Sequence, residues 1–381
     1  MPDLVRQEVA TQCRTVVVKV GTRVLTAPDG TLNEERIAQL AHEMHQIRQT
    51  GRNAVLVSSG AVGAGMHQLK LKQRPSGLAK LQAVAAVGQT KLIEAYDRTF
   101  RQHGYHAAQV LLTGEDLNDR RRYLNVRNTL LELDKLQAIP VVNENDTVAV
   151  DELMPTFGDN DRLAAMVTCL FREALLVILS DVDGLYDGDP RSDNSTLLST
   201  VTDIDDTILS YIQDQQSSYS KGGMATKIEA ARVATNAGEN VIIASGRQGG
   251  VLEAILAGEQ LGTLFIAKKT VRPWKRWLGF STQPQGQILL DAGACQAIRT
   301  GGCSLLAIGI VEVRGAFEKG DVVEICDQQG EEIGRGLINY SAADTKRILG
   351  LPSSRIEQVL GHRPYDEVIH CDNLTIFENG G

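Results

Sequence analysis

The string Ser220-Lys221-Gly222-Gly223-Met224-Ala225-Thr226-Lys227 sets two glycines, a hydroxyl and a lysine just ahead of an apolar helical pattern. Glycines let backbone N–H groups approach an anion with no Cβ in the way, and a lysine adds a point charge. The string therefore predicts a loop closing over nucleotide phosphates. The P-loop spacing G-x-x-x-x-G-K-[ST] occurs nowhere in the chain, so this reading depends on support from other segments. Support begins at Thr15-Val-Val-Val-Lys19-Val-Gly21-Thr22. This β-branched run predicts a strand that delivers a second lysine and a glycine turn to a sheet edge.

Such side chains need a frame. After the first strand, Asn33 reads as a helix N-cap, with Glu34 and Glu35 in the first turn and Gly51 past the end. Ile37, Leu40, Met44 and Ile47 fall on one face. Ala54–Val57 predicts a second strand, and further strands are expected at Ala107–Leu112, Ile139–Val142, Leu175–Leu179 and Val241–Ala244, with helical patterns between them. Strands that are nearly all apolar are buried on both faces, and intervening helices force parallel crossovers. The fold class is thus α/β, an open and mostly parallel sheet sandwiched by helices. Ligands in such folds bind beyond the carboxyl ends of the strands. Lys19-Val20-Gly21, Ser58-Ser59-Gly60, Asn143-Glu144-Asn145-Asp146, Ser180-Asp181 and Ser245-Gly246 each follow or close an apolar run, where that rule puts a site.

A length of 381 residues predicts two domains. A hydrophobic content of 43% with no run of eighteen apolar residues gives no membrane span, and the N-terminal residues show no secretory signal. The six scattered cysteines include no C-x-x-C pair and read as reduced thiols of a cytoplasmic protein. The βα rhythm stops near Lys268–Trp277. From Gly286 onward, short runs at Gln287–Leu290, Leu305–Val313 and Val322–Cys326 are separated by glycine turns, the pattern of a small β-rich module. The expected division is 1–267, a linker at 268–281, and 282–381. Residues 282–381 hold eight Lys or Arg against fourteen Asp or Glu, a net −6 of the whole chain's −8, which disfavours nucleic acid as a partner.

Two strings imitate metal sites. Ser180–Pro190 has an acidic repeat without the EF-hand spacing or its closing glutamate. His42-Glu43-Met44-His45 is one residue short of a zincin motif and reads as a solvated helix face. No metal-ligating side chain is assigned.

Residues 15 to about 265 resemble an amino acid kinase domain, and about 285 to 360 resemble a PUA domain. The resemblance is carried by Val18–Thr22, Ser58–Ala61, Ala86-Val-Gly88-Gln89, Asn143–Asp146, Gly158-Asp159-Asn160-Asp161 and Gly222–Lys227. Two departures stand out: Lys221 where the family has a small or hydroxyl residue, and Ala225 where it has a hydroxyl. Within the family, the pairing with a PUA domain resembles the enzymes that phosphorylate the γ-carboxylate of L-glutamate with ATP and Mg2+, the first step of proline biosynthesis.

That chemistry suits the residues. A carboxylate is ionised at neutral pH and needs no general base, so no Ser-His-Asp or Cys-His arrangement is expected. The obstacle is bringing two anions together, which calls for positive charge around the transferring group. Lys19 and Lys227 are assigned to that group. The resemblance implies that Asp161 orients both lysines, that Ser180 and Asp181 contact ATP together with Lys221, Gly222, Gly223, Met224, Ala225 and Thr226, and that Asp159 holds magnesium through water. Asp146 fits as counter-ion to the substrate ammonium, while Asn160 and the backbone beside Ser59 and Gly60 could donate to carboxylate oxygens. N-acetylglutamate, aspartate and carbamate are the rival acceptors, and the acylated one would leave Asp146 without a partner. The family also implies proline as a feedback inhibitor, hand-over of the product to the reductase that follows, and assembly into a homo-oligomer, a dimer or tetramer.

Overall fold

In the computed structural model, the residues described are 3–27, 31–149, 160–192, 194–214, 223–268, 283–299 and 303–377. Lys221, Gly222, Asp159 and most of the expected linker lie outside them. The chain divides into two compact units, Met1–Thr270 and Val271–Gly381.

In the first unit, helix α1 (Leu4–Gln12) leads into β1 (Thr15–Val20), which is buried along its whole length. A short α2 (Thr22–Leu25) follows Gly21, and then α3 (Glu34–Gln49). Asn33 caps α3, its side chain accepting from the Arg36 N–H at 3.0 Å, and Gly51 ends it with φ +79°. The unit continues with β2 (Asn53–Ser58), α4 (Ala61–Gln68), α5 (Leu78–Arg101), β3 (His106–Leu112), α6 (Gly114–Asn118), α7 (Arg120–Lys135) and β4 (Ala138–Glu144). Next come α8 (Asn160–Thr168), β5 (Ala174–Ser180), β6 (Thr200–Val201), α9 (Asp206–Asp214), α10 (Gly223–Asn236), β7 (Asn240–Ser245), α11 (Val251–Leu256) and β8 (Thr263–Phe265).

The eight strands form one sheet in the order β3-β4-β2-β1-β5-β7-β8-β6. Neighbours are parallel except β7 and β8, which are antiparallel. β1 lies between β2 and β5, with Val20 level with both Ser58 and Leu179. Because successive side chains of a strand alternate faces, Val16, Val18 and Val20 point one way. They join Ile37, Leu40 and Met44 of α3 and Leu92, Tyr96 and Phe100 of α5 in one apolar core. Val17 and Lys19 point to the opposite face, where α8 packs on β1 and α10 packs on α8.

One strand departs from expectation. β3 is the sheet edge, and most of its residues are partly or fully exposed rather than buried on both faces. It pairs with β4 on one side only, so its apolar run is not buried under two helical layers.

The second unit is a five-stranded sheet in the order β10-β9-β11-β12-β13, built from β9 (Gly286–Leu290), β10 (Ile310–Gly315), β11 (Val322–Cys326), β12 (Glu332–Leu337) and β13 (Leu374–Ile376). β9 and β11 are parallel and the other pairs antiparallel. Helices Ala292–Arg299 and Ala342–Ile348 contribute Cys295, Ile298 and Ile348 to its own core.

Candidate active site

The parallel register brings the polar strand ends to one edge of the sheet. Backbone bonds stitch that edge: Ser59 N–H to Val20 O at 3.2 Å, Gly21 N–H to Leu179 O at 3.2 Å, and Gly246 N–H to Ser180 O at 2.8 Å. The carboxyl ends of β1, β2, β4, β5 and β7 thus carry the five clusters singled out in the sequence.

Lys19 is fully buried in the middle of the sheet, and its Nζ lies 2.8 Å from Asp161 Oδ1. Lys227 Nζ lies 3.2 Å from Asp161 Oδ2, which also accepts from the Thr226 hydroxyl at 3.0 Å. Asp161 is itself fully buried at the second position of α8. Burial pushes its carboxyl up, but Lys19 and Lys227 outweigh that and hold it below the usual range. Two ammonium groups on one carboxylate leave the cluster net positive, which suits an arriving phosphate.

Gly223, Met224, Ala225, Thr226 and Lys227 are not in a loop. They form the first turn and a half of α10, and Lys227 Nζ folds back to donate to the Gly223 carbonyl at 2.8 Å. The run of good helix formers after Gly223 winds the glycine-bearing string into the helix start. A helix start keeps the chemistry that was expected of the loop, because the first N–H groups of a helix have no partner within it.

Ser180, buried, ends β5 and donates to Asp181 at 3.3 Å. Asp181 pairs with Arg23 at 2.8 Å. Burial would raise its carboxyl, yet the Arg23 bonds hold it below its ordinary value. Arg23 stands on α2, and no sequence pattern had marked it.

Asn160, the residue before Asp161 on α8, is buried and its Nδ2 donates to Ser58 O at 3.2 Å, Ser59 Oγ at 3.1 Å and Asn143 Oδ1 at 2.8 Å. That amide nitrogen, expected to serve a carboxylate, is turned to the strand ends. Asn143 Nδ2 donates in turn to Gln89 Oε1 at 2.7 Å. Gln89 was visible in the sequence as part of a motif but was given no role. Gly60 has φ +110°, a conformation open to glycine, and starts α4 directly after Ser59. Asp146 is buried, and its Oδ1 has no hydrogen-bond partner among the described residues. Burial raises its pKa to about 6, against the pull of Arg74.

The decoys resolve differently. Asp187 accepts from the Thr196 N–H at 2.7 Å and Asp189 pairs with Arg191, so the acidic repeat makes its own turn contacts. His42 is exposed as expected, but Glu43 is not on a solvated face: it is buried against Arg36 at 2.8 Å and accepts from the Leu252 N–H at 2.9 Å. Among the described residues, no three His, Cys, Asp or Glu side chains are grouped to hold a metal ion, and no helix is long and apolar enough to cross a membrane.

Comparison with known proteins decides the family. The amino acid kinase family description matches residues 14–245, and the PUA domain description matches residues 286–360. The chain belongs to the amino acid kinase family. It is 50% identical over 373 residues to the glutamate 5-kinase of Rhodopirellula baltica, covering 98% of this chain and 96% of that one. It is 46% identical over 372 residues to the glutamate 5-kinase of Nitrosospira multiformis, covering 97% and 100%. Among solved structures it is similar to the carbamate kinase from Giardia lamblia bound to AMP-PNP, at 19% identity and a TM-score of 0.49, covering 67% of this chain and 99% of that one.

Proposed function

We propose that this chain transfers the terminal phosphoryl group of ATP to the γ-carboxylate of L-glutamate, giving L-glutamyl 5-phosphate and ADP, the first step of proline biosynthesis. The observation that carries the reading is the meeting of Lys19 and Lys227 on the two oxygens of Asp161, with Asn160 of the same helix tied to Ser59. The near full-length likeness to glutamate 5-kinases supports the choice of acceptor.

In this reading the γ-carboxylate attacks the terminal phosphorus in line while the bond to the β-phosphate oxygen breaks. Lys19 and Lys227 sit on the transferring group and its bridging oxygen, and Asp161 keeps both ammonium groups aimed. Gly223 to Thr226 offer backbone N–H groups to the phosphates, with Ser180 and Asp181 beside the nucleotide. The proposed nucleotide site extends through Lys221 and Gly222. Asp146 pairs with the α-ammonium, and the backbone beside Ser59 and Gly60 serves a carboxylate, the Ser59 N–H itself being held by Val20 O.

Mg2+ fits this site as the counter-ion of ATP rather than as a resident of a protein cage. Both oxygens of Asp161 are engaged by lysines, and the described residues hold no group of three His, Cys, Asp or Glu side chains placed for a metal ion. Asp159 would hold the ion through water, and the ion would supply positive charge to the phosphates.

The same proposal includes a catalytic domain at 1–267, a linker at 268–281 and a PUA-like domain at 282–381. It also includes a cytoplasmic location, a homo-oligomeric dimer or tetramer, proline as competing inhibitor at the glutamate site, and hand-over of the labile acyl phosphate to a reductase. The test of function is trapping of the acyl phosphate by hydroxylamine with ATP and each of glutamate, N-acetylglutamate, aspartate and carbamate. Glutamate should give hydroxamate most efficiently, and Asp146→Ala should raise its KM. An unchanged KM, or preference for the acylated acid, would overturn the assignment.

A further inference from the structure

A file of side chains runs behind the strand ends, and its direction is fixed. Asn143 Oδ1 accepts from the Glu144 backbone N–H at 3.0 Å as well as from Asn160 Nδ2, and Asn160 Nδ2 reaches the Ser58 carbonyl. A backbone N–H can only donate and a backbone carbonyl can only accept. Asn143 must therefore present oxygen to Glu144, and Asn160 must present nitrogen to Ser58. Asn143 Nδ2 is then left to donate, and Gln89 receives it on Oε1 at 2.7 Å. Reversing the Asn143 amide would set donor against donor at Glu144 and Asn160, and acceptor against acceptor at Gln89.

Gln89 is 7% exposed, and its own Nε2 is buried without a hydrogen-bond partner among the described residues. A buried donor left unpaired loses its hydration and gains nothing in return, so as packing alone this side chain is a poor choice beside an apolar one of equal length. What it supplies is the acceptor for Asn143 Nδ2, the one polar end of that amide that Glu144 and Asn160 leave over. The helix that carries it is fixed in place, because Gly88 packs against the backbone of Ala61 and Gly65 on α4, immediately after Ser59 and Gly60.

We propose that Gln89 is a positioning residue of the acceptor site. By completing the bonds of Asn143 it steadies the Asn160 amide, and with it Ser59, in the position seen here. Gln89 thereby sets affinity for the amino acid and leaves phosphoryl transfer and ATP binding alone. The inference rests on the proposed contact of the backbone beside Ser59 and Gly60 with glutamate, which Asn160 supports through Ser59.

Steady-state kinetics of Gln89→Met and Gln89→Glu, in the full chain, test it. Gln89→Met keeps the length and removes the acceptor; the KM for glutamate should rise about tenfold, the equivalent of one hydrogen bond, with kcat and the KM for ATP unchanged. Gln89→Glu keeps an oxygen for Asn143 Nδ2 and should hold the KM for glutamate within about threefold of the parent. Thermal unfolding of each variant separates positioning from folding. An unchanged KM for glutamate in Gln89→Met, a parallel loss in both substrates, or a tenfold rise in Gln89→Glu would overturn the inference. If Gln89→Met does not fold, the Gln89→Glu arm still decides. Failure of the parent chain to phosphorylate glutamate would instead refute the functional reading, before any variant is compared.

Discussion

Gly65 of α4 and Gly88 of α5 meet with no space for a side chain on either. A Cβ on Gly88 would overlap the Ala61 carbonyl oxygen and the Gly65 nitrogen, and one on Gly65 would overlap the Val84 carbonyl oxygen. The obstacle is backbone, which no rotamer change relieves. Gly88→Ala should therefore destabilise the chain by about 1–3 kcal/mol in urea unfolding, the usual cost of overpacking. Gly77→Ala, where an added Cβ meets nothing within 4 Å, should stay within about 0.5 kcal/mol of the parent. Equal effects of the two would contradict this account of the helix pair.

Asp146 gives the site a pH dependence whose sign can be worked out. Its pKa rises from 3.8 when unfolded to about 6 when folded, so between those values the folded chain holds the extra proton. This contribution to stability is full below pH 3.8 and is lost as the pH rises through about 6. Pairing with an ammonium requires the ionised form, so glutamate binding at pH 6, where about half of the chains hold the proton, should release about half a proton per site. Calorimetric titration in two buffers of different ionisation enthalpy measures that release. Asp146→Asn should abolish it, and a parent chain that releases none would exclude Asp146 as the counter-ion.

Arg36 and Glu43 form a buried pair that ties α3 to the turn after β7 and to the start of α11. Arg36 Nε donates to the Gly246 carbonyl at 2.8 Å, and Glu43 takes the Leu252 N–H. Arg36→Met leaves a buried carboxylate without its cation and should cost about 3–5 kcal/mol in urea unfolding, whereas Arg36→Met with Glu43→Leu should recover most of it. A single variant as stable as the parent would show that the pair contributes nothing.

β1, β2, β4, β5 and β7 were legible because parallel strands under two layers of helices are nearly uninterrupted apolar runs, whereas β6 and β8, two and three residues long, are too short to carry that signal. Asn33, Glu34 and Gly51 marked α3 with chemistry that acts within a few residues. The ends of β1, β2, β4, β5 and β7 were legible for the same local reason. What escaped was set by distance in sequence. Glu43 is buried because Arg36 and Leu252 come to it, and neither a helical period nor a zincin-like string carries that information. Gln89 takes its meaning from Asn143, and Arg23 from Asp181, contacts made by the fold. The string at Gly223 predicts a loop because glycines let backbone N–H groups approach an anion. The residues after Gly223 carry it into α10 instead, which packs on α8.

The central claim is that Lys19 and Lys227 act on one phosphoryl group from two sides of Asp161. Turnover of Lys19→Met, Lys227→Met and the double variant, read as acyl phosphate trapped by hydroxylamine at saturating ATP and glutamate, tests it most directly. Each single variant should lose about 10²–10⁴-fold in kcat, and the double variant should lose far less than the product of the two, because groups that act as a unit are not additive. Full turnover in either single variant would contradict the claim.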